Sequence, residues 1–84
     1  MRAEDHIRVR WALSQLLNAS LEGLDRAFYA LEVTLDEITS EALVPWDLIN
    51  AETRLREAVK QREHDKVSHL AGQALRALNM GRAS

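Results

Sequence analysis

The strongest constraint on this chain is an apolar pattern that runs over 26 residues, from Leu17 to Ala42. Its members follow one another at alternating spacings of four and three, which keeps the side chains on one side of an α-helix. They are Leu17, Leu21, Leu24, Phe28, Leu31, Leu35, Ile38 and Ala42. The pattern predicts one long helix over about residues 4–40, roughly 55 Å in length. We expect any bend in it near Asn18.

The composition favours helices along the whole chain. Its 84 residues include three Gly, one Pro, one Phe and no Cys, whereas the helix formers Leu, Ala, Glu and Arg are abundant. A chain of this length forms one domain, residues 1–84, and buries only about 60% of the surface that its unfolded form exposes. We therefore predict a single all-α domain that is marginally stable as a monomer.

The run TSEALVPWDL, residues 39–48, ends the first predicted helix. Pro45 disfavours helical geometry at Val44 and suits the first turn of a new helix, where Asp47 faces the positive end of the helix dipole. The sequence predicts a turn over residues 41–45 and a second helix over about 45–63. The two helices would form a long antiparallel helical hairpin.

The second half of the chain carries two apolar stripes that do not line up. The first comprises Leu48, Ala51, Leu55, Ala58 and Val59, and the second comprises Val67, Leu70, Ala71, Ala74, Leu75 and Leu78. On a continuous helix the second stripe would lie roughly 110–130° around the axis from the first. Either the helix breaks near His64, with Asp65 as the N-cap of a third helix over about 65–79, or it continues and changes its packing partner there. We favour the break.

Charge and uncovered apolar surface together favour a dimer. Residues 22–52 carry a net charge of −7, residues 1–21 carry +1 and residues 53–84 carry +4. A hairpin of two helices leaves apolar surface in water, so a further layer must cover it. In a two-fold pair of antiparallel hairpins, the acidic tip of one chain would lie beside the basic end of its partner. We therefore predict a homodimer that forms a four-helix bundle.

Two sets of residues follow from this interpretation. The core and dimer seam is predicted to comprise Leu17, Leu21, Leu24, Phe28, Leu31, Leu35, Ile38, Leu48, Leu55 and Val59. The candidates for binding a partner protein lie off that seam and are Trp11, Tyr29, Val33, Glu37 and Glu41. Exposed aromatic side chains often dominate the binding energy of protein interfaces. Tyr29 with Val33 is the better candidate for such an exposed patch, whereas Trp11 is more typical of a side chain that fills a core.

The residues favour a function without catalysis. The chain has no Gly-rich phosphate loop and no recognisable Ser/His/Asp arrangement. We predict that it is not an enzyme, binds no cofactor, and acts as an adaptor, an assembly factor or an inhibitor of a partner protein. Because it has no cysteine, no apolar signal sequence and no run of about 18 apolar residues, we expect a cytoplasmic protein outside the membrane.

A regulator associated with nucleic acid is the second interpretation. Its basic pole would comprise Arg8, Arg10, Arg54, Arg56 and Lys60. Binding to a phosphate backbone requires such clustered bases. A pI of about 5.9 favours the protein-interaction interpretation over this one.

Asp65 and His69 are the residues most typical of a chemical site. They stand four apart, so one helix face could present both to a divalent metal, with a third ligand from Glu22 or Asp25. We favour a surface pair and predict no metal. The segment from His69 to Gly72 resembles the phosphoacceptor region of histidine phosphotransfer domains, which would make His69 the phosphoacceptor. It lacks that family's lysine, and its glycine comes one residue early.

Overall fold

The part of the chain that the structure describes folds into four α-helices. The computed structural model describes residues 3–39 and 46–83, and within these ranges it contains no β-strand. Helix α1 spans Ala3–Leu17, α2 spans Leu24–Thr39, α3 spans Trp46–Lys60 and α4 spans His64–Ala83, with a single 3-10 turn at Leu21–Gly23 before α2. The predicted all-α fold is confirmed. The predicted turn over 41–45 lies outside the described residues.

Each helix packs against its two neighbours in a closed ring. Helix α1 contacts α2 and α4, and α3 contacts the same two helices from the other side. Arg8 near the start of α1 pairs with Glu37 near the end of α2, and the His6 ring bonds to the carbonyl of Leu78 near the end of α4. These contacts show that α1 runs antiparallel to both neighbours. One chain of 32 × 24 × 18 Å thus forms a four-helix bundle by itself.

All four helices contribute to one apolar core. Its buried members are Val9, Ala12, Leu13, Leu16, Leu24, Phe28, Leu31, Leu35, Ile38, Leu48, Leu55, Ala58, Val59, Val67, Ala71 and Ala74. Each helix supplies them at spacings of three and four, because that spacing keeps one stripe turned toward the bundle axis. The core that we assigned to a dimer of hairpins is therefore enclosed within a single chain.

The predicted continuous helix over residues 4–40 is wrong. Helix α1 ends at Leu17, and the Asn18 side-chain amide donates to the carbonyl of Ser14 at 2.9 Å. Ser20 is extended, with φ −74° and ψ 167°, before the 3-10 turn begins. Asn and Ser weaken helices because their side chains compete for backbone hydrogen bonds. The break also lets α1 fold back over the core, which a straight helix could not do.

Two residues of the predicted seam fall in or beside this break. Leu21 is 47% exposed, and Leu17 is only half-buried against the core. The spacing of three and four runs through residues 17–24 even though no continuous helix does. The pattern alone could therefore not reveal the break.

The favoured break in the second half is confirmed. Helix α3 ends at Lys60, and Arg62 adopts the left-handed conformation with φ 57°. The N–H of Arg62 donates to Val59 O and that of Glu63 to Ala58 O, both at 3.1 Å. This pair of bonds is the Schellman motif that closes many helices. The carbonyl of Glu63 accepts the bond from Val67 N at 2.9 Å, so Glu63 takes the N-cap position that we predicted for Asp65.

The two breaks lie at the same end of the bundle and contact each other. The ring of His64 lies 2.7 Å from the carbonyl of Ala19 through Nε2. Since a carbonyl oxygen can only accept, Nε2 carries the hydrogen. Arg62 adds an ion pair to Asp25 at 2.9 Å. The chain between α1 and α2 is therefore held to the chain between α3 and α4.

Arg62 provides a direct test of the second break. The left-handed conformation costs a residue with a side chain about 1 kcal/mol relative to Gly. We expect Arg62→Gly to be more stable than Arg62→Ala by about that amount, because both variants lose the ion pair and only Gly relieves the backbone. The free energy of unfolding in urea measures the difference. Equal stability of the two variants would contradict the left-handed turn.

Candidate interaction surfaces

Several large apolar side chains remain exposed outside the buried core. The exposed set comprises Ile7, Trp11, Leu21, Tyr29, Val33 and Ile49. Trp11 and Tyr29 are exposed over 61% and 66% of their surface. Ile7 and Trp11 stand one turn apart on α1, and Tyr29 and Val33 stand one turn apart on α2. Two helices therefore present apolar pairs to solvent.

Trp11 lies on the side of α1 that is nearer to α2. It follows Arg8 by three residues, or about 60° around the helix, whereas it is about 140° from His6. Arg8 contacts Glu37 of α2, and His6 contacts Leu78 of α4. We call Ile7 and Trp11, with the Arg8–Glu37 pair beside them, the Trp11 face.

Tyr29 lies on another side of the bundle. It precedes Glu32 by one turn, and Glu32 forms a 3.1 Å ion pair with Arg56 of α3. Tyr29 therefore points toward the α2/α3 side, with Val33 between it and the Trp11 face. The structure does not bring all the predicted partner-binding residues onto one surface. Glu37 belongs to the Trp11 face, and Glu41 lies outside the described residues.

The α2/α3 side is held by a network around Arg56. Its guanidinium donates to Glu32 at 3.1 Å and to Glu52 at 2.7 Å, and it lies 5.8 Å from the centroid of the Phe28 ring. Burial raises the pKa of Glu52, and the charges of Glu32 and Asp36 raise it further, while Arg56 opposes them. The network joins two helices and thus has a structural role.

A groove of about 230 Å³ opens between α3 and α4. It is lined by Asn50, Ala51, Arg54, Leu70, Gln73, Ala74 and Ala77. The small side chains of the three alanines leave space between the two helices. The side chains of Asn50, Gln73 and Arg54 lie at the rim of that space. None of the ion pairs found between described side chains involves Arg54. Sequence reasoning assigned Arg54 to a basic pole and did not predict the groove. The small alanine side chains near Leu70 were the sequence feature that could have indicated it.

The bases proposed for nucleic-acid binding do not meet on one surface. Arg8 lies near one end of the bundle and Lys60 at the other. Arg8 and Arg56 are paired with carboxylates, and Arg54 faces the α3/α4 groove. The basic pole that the sequence indicated is therefore spread over the length of the bundle.

The candidate metal residues do not form a three-ligand site among the described residues. In the part of the chain that the structure describes, no group of three His, Asp or Glu side chains lies close enough to hold an ion. Asp65 and His69 are both exposed on α4, and Asp25 is paired with Arg62. His69 remains an exposed histidine on a bundle helix.

None of the described helices has the length and apolarity that a membrane span requires.

Comparison with known proteins identifies no relative of this chain. No protein-family model matches it, and no curated protein or solved structure shows significant similarity to it. The exposed surfaces are therefore the observations from which a function can be inferred.

The raised pKa of Glu52 predicts how the variant Glu52→Gln will behave. A raised pKa means that the folded state binds the proton more tightly, so this group stabilises the fold most at low pH and least once it is ionised. We expect the stability of the wild type relative to Glu52→Gln to increase as the pH falls from 7 to about 4. Urea unfolding across this range measures it.

Glu57→Gln is the matched control, because Glu57 lies on the exposed side of the same helix. Subtracting the pH dependence of this variant from that of Glu52→Gln removes the effects that the loss of any carboxylate on α3 would have. A difference between wild type and Glu52→Gln that moved in the opposite direction would contradict the assigned environment of Glu52.

Proposed function

We propose that this chain is a small non-catalytic interaction protein, acting as an adaptor, an assembly factor or an inhibitor. It docks on another protein through the Trp11 face. The observation that carries this proposal is the 61% exposure of Trp11 beside the 53% exposure of Ile7, both outside the buried core.

Burial in the core does not explain why apolar side chains of this size are present at these exposed positions. Single exposed apolar residues are common, but paired ones on one helix face mark interaction sites more often. Trp is enriched among the residues that dominate interface energies, since it buries a large area with few rotatable bonds. The Arg8–Glu37 pair supplies the polar rim that such interfaces usually have.

Self-association and a cytoplasmic location are part of the same proposal. A homodimer is not needed to cover the core, because the four helices of one chain do so. The Trp11 face is instead the surface that a second copy could cover. The location rests on composition, namely the lack of cysteine.

The variant Trp11→Ala tests the proposal. Trp11 is exposed, so the change should alter the free energy of unfolding by less than about 0.5 kcal/mol. It should nevertheless abolish capture of a stoichiometric partner from an extract of the native host. Affinity capture with quantitative mass spectrometry measures the bound partner.

Tyr29→Ala is the matched control, because Tyr29 is an equally exposed aromatic residue on another side of the bundle. This variant should retain the partner. Undiminished capture by Trp11→Ala, or capture of nothing except the chain itself by the wild type, would refute docking on another protein through the Trp11 face.

A further inference from the structure

The α3/α4 groove has the size and chemistry of a receptor for one aromatic side chain. Its volume of about 230 Å³ is below the roughly 300–1,000 Å³ of pockets that enclose drug-sized ligands. Leu70 and Ala74 form an apolar floor on which a ring can pack. Arg54 can stack over the face of that ring, as guanidinium groups commonly do. The side-chain carbonyl of Asn50 or Gln73 can accept a bond from an indole N–H.

Trp11 is level with this groove but on the opposite side of the bundle. The contacts His6–Leu78 and His64–Ala19 fix the register of α1 against α4, and they place Trp11 opposite about Gln73. The helices follow the order α1, α2, α3, α4 around the bundle axis, so the α1/α2 side and the α3/α4 side face in opposite directions. Trp11 therefore cannot reach the groove of its own chain, whereas it can reach that of a second copy without a shift along the bundle axis.

Charge favours this arrangement over a two-fold dimer. Residues 3–39, which form α1 and α2, carry seven acids and three bases, a net charge of −4. Residues 46–83, which form α3 and α4, carry five acids and seven bases, a net charge of +2. A two-fold contact through the Trp11 face would bring two acidic halves together. A head-to-tail contact instead joins an acidic half to a basic half.

We propose that the α3/α4 groove binds Trp11 of a second copy, so that copies associate head to tail. This inference rests on the proposed role of the Trp11 face and names one occupant for the groove. The contact is heterologous, since different surfaces of the two copies meet, and each added copy leaves one free Trp11 face and one free groove. Association therefore continues beyond the dimer, and salt weakens it by screening the charge attraction.

Complementary variants test the contact. Trp11→Ala removes the occupant, and a groove variant, Arg54→Glu with Ala77→Gln, blocks the receptor. Both changes lie at exposed positions, and circular dichroism checks that each variant is folded. In sedimentation equilibrium at low salt, the wild-type mass should rise with concentration past that of a dimer. Each variant alone should associate at least about tenfold more weakly.

The mixture of the two variants is the decisive sample. Trp11→Ala keeps its groove, and the groove variant keeps its Trp11, so one productive contact remains. We expect a 1:1 dimer that does not grow further. Arg76→Glu and Tyr29→Ala are the matched controls. Arg76→Glu makes the same charge change on the basic half outside the groove lining, so it should weaken association less than the groove variant does. Tyr29→Ala should associate as the wild type does.

Three outcomes would overturn the inference. In the first, the wild type stays monomeric at all concentrations. In the second, the mixture of the two variants stays monomeric. In the third, the wild-type mass stops at that of two copies and the groove variant has the same mass. The last result would indicate a two-fold dimer. A monomeric wild type that still loses its foreign partner on Trp11→Ala would overturn the head-to-tail contact alone and leave the proposed function standing.

Discussion

The bundle depends on the contact between its two internal breaks. The His64 ring donates to the carbonyl of Ala19, and Arg62 pairs with Asp25, so the reversals of the chain at residues 18–23 and 61–63 meet at one end. Each reversal lets a helix turn its apolar stripe toward the common axis. Four stripes of moderate length then enclose one core, which two long helices of the same sequence could not do. The outward side of α1, including Trp11, is fixed by the same geometry.

Much of this fold could be predicted from residue spacing. The stripe from Leu24 to Ile38 keeps one phase and became the buried face of α2. The change of phase after Val59 indicated the second break, because one straight helix cannot turn both stripes to one partner. Residue spacing did not reveal the first break, since Leu17 and Leu21 continue the spacing by coincidence, although Asn18 was the expected place for a bend. In the structure, the hydrogen bond of the Asn18 side chain to Ser14, the extended Ser20 and the following 3-10 turn mark the break.

The interaction surfaces were predictable only in part. Tyr29 lies off the main seam, so its exposure could be inferred from phase alone. Trp11 was more typical of a core side chain, and the structure instead leaves it exposed. The separation of these two side chains onto different sides could not be inferred, because it depends on how α1 folds back over α2. The α3/α4 groove depends on the packing of two helices whose facing residues are small, and such a depression leaves little signal in a sequence. Arg54 consequently looked like one base among several.

The most direct measurement concerns the fold-back of α1 on α2, on which both surfaces depend. Arg8 and Glu37 are 29 residues apart and in contact, whereas in one continuous helix they would be about 43 Å apart. The chain has no cysteine, so Arg8→Cys with Glu37→Cys introduces one defined pair. A short bismaleimide should cross-link this pair within single chains at high dilution. Failure to cross-link in a folded protein would contradict the four-helix chain.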